Sequence, residues 1–226
     1  MTKLAFIFFC VFVVPVMATE HLTPEQLEQW FNDELLTDEE RALAVNEGVL
    51  EFLSKQPDKA VHFSQNILTI SKDSLSTGWV NLVQCHVNLD AVAASQVVYR
   101  YKRMRNLVVD SFEKIGKAWV EGKSVQMEDV NKGAKLCIRA DVGILYSHKD
   151  GSAVLENGPF HRKFLDGYYP MHVSLEIKYP SALLKYKSIS PNAQPGFSVT
   201  HSKNTLTVDA WFEGELRTQV RFSRIN

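Results

Sequence analysis

The chain carries almost no surplus charge: 25 Lys and Arg are set against 26 Asp and Glu. Proteins that grip nucleic acid usually show a basic excess or stripe, so no nucleic-acid partner is expected. The one dense basic run, Arg100-Tyr-Lys-Arg-Met-Arg105, would place cations on both faces of a strand. It reads as a protected sheet edge, with a contact patch for an anion as the alternative. Cysteine is scarce, at three residues. No Cys-x-x-Cys occurs, which excludes thioredoxin-like chemistry and c-type haem attachment. Beyond the first residues no apolar stretch approaches the ~20 residues of a membrane-spanning helix.

Catalytic motifs are missing as well. Gly122-Lys123-Ser124 resembles the end of a phosphate loop, but position 117 is lysine where the loop needs glycine, so a hairpin turn is expected there. The seven histidines form no His-x-His pair and no His-Glu-x-x-His, so a metal site would have to gather ligands from separate strands. His62 and His86 are the candidate metal pair to test first. No Gly-x-Ser-x-Gly nucleophile elbow is present.

What is present begins with an address. Lys3 precedes an apolar run from Leu4 to Val14, then Pro15 and Val16-Met-Ala18. This is the three-part pattern of a secretory signal peptide, residues 1–18, and it predicts a periplasmic or secreted protein. No transmembrane segment is expected once it is cleaved. Cys10 would leave with the signal, so Cys85 and Cys137 remain. In an oxidising compartment two cysteines suggest one disulfide. Both lie in strand-like segments beside apolar residues, and an inward-facing pair is expected. Cys85 adjoins His86, yet neighbours on a strand point to opposite faces, so the two do not form a nucleophile and base.

Residues 19–47 read as helical. Thr23-Pro24-Glu25-Gln26 has the form of a capping box, and Leu27, Trp30 and Phe31 share one helical face. From Val49 the period changes to two. Strands are expected at 49–53, 67–71, 79–89, 96–109, 117–121, 124–130 and 134–145. Others follow at 153–156, 171–179, 184–189, 197–201, 205–212 and 216–222. The fold class is mainly β: an antiparallel sandwich or partly closed barrel with a short N-terminal helical segment. Two packed sub-units, 48–157 and 158–226, are expected, with Glu156-Asn-Gly-Pro159 as the linker. In the last two strands Leu206, Val208, Ala210 and Phe212 share a face, as do Leu216, Thr218, Val220 and Phe222. A hairpin turning at Gly214 would pair Phe212 with Leu216 and Val208 with Val220.

Residues Pro159 to Pro180 hold the densest mixture of aromatic and polar side chains. His161, Arg162, Tyr168 and Tyr169 are ligand-binding candidates there, and Trp211 on the last hairpin is another. The sequence therefore points to an exported, non-catalytic β-rich binding or accessory module of the cell envelope. It would need no cofactor, and its partner would be an envelope protein or polysaccharide. The alternatives are a hydrolase of an envelope polymer, with its groups near 159–172, and a metal carrier built on His62 and His86.

Overall fold

The computed structural model describes residues 48–164 and 167–225. The expected signal peptide and the expected helical segment at 19–47 lie outside the described residues. Period-two alternation has become strands almost everywhere else. In chain order these are β1 (Glu51–Phe52), β2 (His62–Thr69), β3 (Trp79–Leu89), β4 (Val92–Val98) and β5 (Met104–Glu121). Then follow β6 (Ser124–Gly143), β7 (Leu145–Ser147), β8 (Ser152–Phe160), β9 (Arg162–Phe164) and β10 (Gly167–Tyr169). The last are β11 (Met171–Lys178), β12 (Leu184–Ser190), β13 (Phe197–His201), β14 (Thr205–Glu213) and β15 (Leu216–Arg224). A single helical turn, α1 (Ser74–Thr77), precedes β3.

The larger sheet runs β1-β14-β11-β2-β3-β6-β4, with β13 also on β14 and β5 also on β6. The smaller runs β12-β15-β8-β7. Strands from both sides of residue 157 share the larger sheet, where β2 and β11 pair in parallel. All other pairings are antiparallel. One apolar core lies between the sheets. Leu68, Leu82, Leu136, Leu175 and Phe212 enter it from the larger sheet, and Leu155, Leu216, Val220 and Phe222 from the smaller. The fold is a sandwich, and no barrel closes.

The last hairpin does not form. β14 pairs with β11, β13 and β1, and β15 with β12 and β8. Both strands bury the faces expected of them, but they do so from opposite layers. Alternation fixes which face is inside and leaves the partner open. Gly214, at φ +82°, is where the chain steps from one sheet to the other, and a Cβ there would collide with the carbonyl oxygen of Val49.

The expected linker is also part of a strand. Glu156–Pro159 lies inside β8, at a bulge where the register of β15 shifts between Leu216 and Thr218. Gly158, at φ +107°, lets the two strands approach, since an added Cβ would sit 2.6 Å from the Leu216 oxygen. Bulges are among the few places where a strand tolerates proline.

β5 and β6 form one long hairpin around Gly122-Lys123, where shorter separate strands were expected. A crease crosses it. Asn88 at the end of β3, Gly133 in β6 and Lys114 in β5 all have positive φ, at 60°, 72° and 57°. Registers shift beside them, between Val87 and Leu89 and between Glu113 and Ile115. Aligned bulges bend a sheet, and here they fold the hairpin tip back on its base. The Tyr99 amide donates to the Lys123 oxygen (2.9 Å), and the Gly143 amide to the Arg103 oxygen (2.9 Å). Residues 99–103 therefore bridge tip and base, and the basic run lies partly outside any strand.

The Cys85–Cys137 disulfide is present, joining directly paired residues of β3 and β6. It does not face inward. Gln84 and His86 occupy the inner face of β3, so Cys85 between them looks outward.

Candidate functional site

Five polar side chains interrupt the inner face of β2 and β3. Ser64 and Asn66 precede Leu68 on β2, and Gln84 and His86 follow Leu82 on β3. All four are buried, and partly buried His62 closes the row. Buried polar groups need partners, and these supply one another.

The direction of every bond follows from one end. Asn66 Nδ2 reaches two backbone carbonyls, of Ser64 (3.0 Å) and Ser174 (3.2 Å). Carbonyls only accept, so this nitrogen is the amide donor and Oδ1 faces Gln84. Gln84 Nε2 donates to that oxygen at 2.6 Å and to Ser64 Oγ at 3.3 Å. Gln84 Oε1 is left to accept from His86 Nε2–H at 3.0 Å. His86 Nδ1 then carries a lone pair and accepts from His62 Nε2–H at 2.9 Å. The remaining ring nitrogen of His62 is thereby an acceptor. Tautomers are assigned this way from the network around them.

Both imidazoles are held neutral. Burial, reinforced by the nearby Arg162 cation and opposed by Asp90, draws the His62 pKa down to about 4. Burial and then His62 itself place His86 well below its usual range. Desolvation disfavours the charged form of a base.

Four of the row, His62, Ser64, Gln84 and His86, line one side of a cavity of about 400 Å³ on the concave side of the creased sheet, with Asn66 behind them. Val97, Met127, Val130, Phe160 and Met171 supply apolar lining, and Tyr99 and Tyr101 approach from the 99–103 bridge. Burial raises both phenol pKa values, so both hydroxyls stay protonated. Tyr101 donates to Asn157 Oδ1 at 2.8 Å, whereas the buried Tyr99 hydroxyl has no hydrogen-bond partner. At the edge Arg162 Nη2 holds both carboxylate oxygens of Asp90 at 2.8 Å.

The candidate residues divide accordingly. His62, His86, His161 and Arg162 all line this cavity. Tyr168 and Tyr169 lie on the small β9–β10 hairpin beside it. Tyr169 carries the Arg162 guanidinium over its ring at 5.4 Å, and the Tyr168 hydroxyl donates to Glu215 at 3.3 Å. Burial lowers the pKa of His161, while Glu215 works against that shift. Trp211 is elsewhere, on the outer face of the larger sheet. There it stacks on His172 (4.0 Å between ring centres), whose other face meets Phe63 at 4.4 Å. Asp209 steadies the middle ring through His172 Nε2, 2.7 Å from its carboxylate. Arg217 does not share that face, because it belongs to the smaller sheet.

Sequence reading missed Ser64, Asn66, Gln84, Asp90, Tyr99 and Tyr101. A signal for the first three existed: polar residues at alternate positions within otherwise apolar strand faces. Among the described residues no group of three His, Cys, Asp or Glu side chains could hold a metal ion, and no helix is long and apolar enough to cross a membrane. No family model, curated protein or solved structure matches the chain.

Proposed function

We propose that this protein is an exported, non-catalytic binding module. Its ligand is a small, mainly apolar molecule bearing a hydroxyl, held in the cavity inside the crease. The observation that carries this reading is the directed polar row ending at His62. A neutral acceptor next to apolar lining suits an uncharged donor on an apolar body. Ligand cavities commonly combine apolar walls with a few placed polar groups, in volumes upward of about 300 Å³. Catalysis receives less support. His86 bonds to an amide and His62 to His86, so neither imidazole is oriented by a carboxylate as a general base usually is. The Cys85–Cys137 bridge fits an oxidising compartment.

The test is a binding series with 1-decanol and decane as probes, followed through the ring resonances of His62 and His86. Saturable shifts with the alcohol and weaker binding of the alkane are expected. Equal binding of the two, or shifts confined to the outer face around Trp211, would overturn the reading.

A further inference from the structure

We infer a second site, for a small oxyanion, in the cleft of about 480 Å³ on the far side of the Tyr101–Asn157 hydrogen bond. Tyr101 and Gly158 line both hollows, so that bond stands in the wall between them. Asn157 and Thr218 are direct partners across β8 and β15. They are 4 % and 3 % exposed, and Asn157 Nδ2 and Thr218 Oγ1 lack any hydrogen-bond partner.

The orientation of the Asn157 amide follows from its neighbours. Its Oδ1 receives the Gly158 backbone N–H at 3.0 Å as well as the Tyr101 hydroxyl. A backbone N–H can only donate, so the oxygen is correctly placed and the unpartnered end is the NH₂ group. A buried donor left unmet keeps its full desolvation penalty, and a bound acceptor would remove it. Thr218 can donate beside it.

Charge selects an anion among possible acceptors. Arg100, Lys102 and Arg217 line the cleft, with Glu156 as the acidic residue of the lining. Glu156 accepts from Gln219 at 3.3 Å. Outside the lining, Glu215 serves two of the cations, at 3.3 Å from Arg217 and 3.9 Å from Arg100. Three cations thus stand near two carboxylates, of which Glu215 alone forms ion pairs with them, to Arg100 and Arg217, beside two unmet polar groups. A carboxylate or a phosphate group would meet both demands.

The experiment follows the Asn157 side-chain amide in ¹⁵N-labelled protein, identified by its disappearance in Asn157→Asp. Inorganic phosphate and acetate are titrated separately against sodium chloride at matched ionic strength. A saturable shift of that amide with phosphate assigns a phosphate-type ligand, and with acetate a carboxylate; either supports the site. Thr218→Val exchanges an unmet hydroxyl for a methyl and leaves the Tyr101 bond intact. It should stay folded and bind the effective anion at least tenfold more weakly. No saturable shift, an equal response to chloride, or unchanged affinity in Thr218→Val would overturn the proposal. Decanol binding in the neighbouring cavity is read at His62 and His86, so the two readings fail separately.

Discussion

Cys85 and Cys137 sit opposite each other with Cα atoms 4.1 Å apart, on the reverse side of the strand that carries His86 inward. The bridge spans 52 residues and ties β3 to β6 at mid-sheet. Its loop-closure contribution is about 3–4 kcal/mol in the chain-entropy model. The double variant Cys85→Ser, Cys137→Ser should lower the urea midpoint by a corresponding amount, and reduction of the wild type should reproduce the loss. Coincident unfolding curves for oxidised and reduced protein would refute this contribution.

Acid should weaken the fold over a defined window. In the unfolded chain His62 takes up its proton near 6.5, but in the folded protein only near 4. Between those values the unfolded state binds more protons, so stability is complete above about pH 6.5 and declines as pH falls toward 4. Each tenfold change in proton affinity is worth about 1.4 kcal/mol, so His62 accounts for ~3 kcal/mol across the window. His62→Gln should flatten the dependence of unfolding free energy on pH there. An unchanged slope would show that the imidazole is not held neutral.

Arg162 is the second cause of that depression, after burial. Arg162→Met should therefore raise the His62 pKa without restoring it to 6.5. Following the His62 ring proton by NMR from pH 7 to 3.5 measures this directly. A pKa that fell, or stayed the same, would contradict the arrangement.

Gly214 has no room for a side chain and sits at φ +82°. Gly214→Ala combines left-handed strain with a backbone collision, and a loss of at least ~2 kcal/mol is expected. Thermal unfolding checks it. A variant as stable as wild type would mean that the β14–β15 step can relax.

Tyr101→Phe removes one donor from Asn157 and leaves the Gly158 amide in place. The expected cost is about 1 kcal/mol, read as a modest fall in the urea midpoint. A loss of several kcal/mol would show that this hydroxyl holds more of the 99–103 bridge than its single bond implies.

Much of the fold could be read from alternation. β3 and β13 fall where expected to the residue, and the inward faces of β14 and β15 are correct. Partners could not be read in this way. Phe212 meets Met171 and Phe52 instead of Leu216 because both neighbouring layers offer apolar faces of the same period. β6 looked like two strands because Asn131-Lys-Gly133 has turn composition, whereas in the sheet it is a bend that pairing continues through. Of the site, His62, His86, His161 and Arg162 were legible as unusual side chains. Ser64, Asn66 and Gln84 left only a faint trace, polar residues at alternate positions on apolar faces, and that trace gains its meaning when β2 and β3 lie side by side.

The crease has a mechanical consequence. From Gly133 the arm of β6 reaches to the turn at Gly122-Lys123. At ~3.3 Å per residue that is a lever on the order of 30 Å. A change of one degree in bend would swing its far end by roughly half an ångström. The far end is tied down accordingly: Lys123 Nζ donates to the Tyr101 and Lys102 carbonyls at 2.9 and 3.0 Å, so opening the bend must break those bonds first.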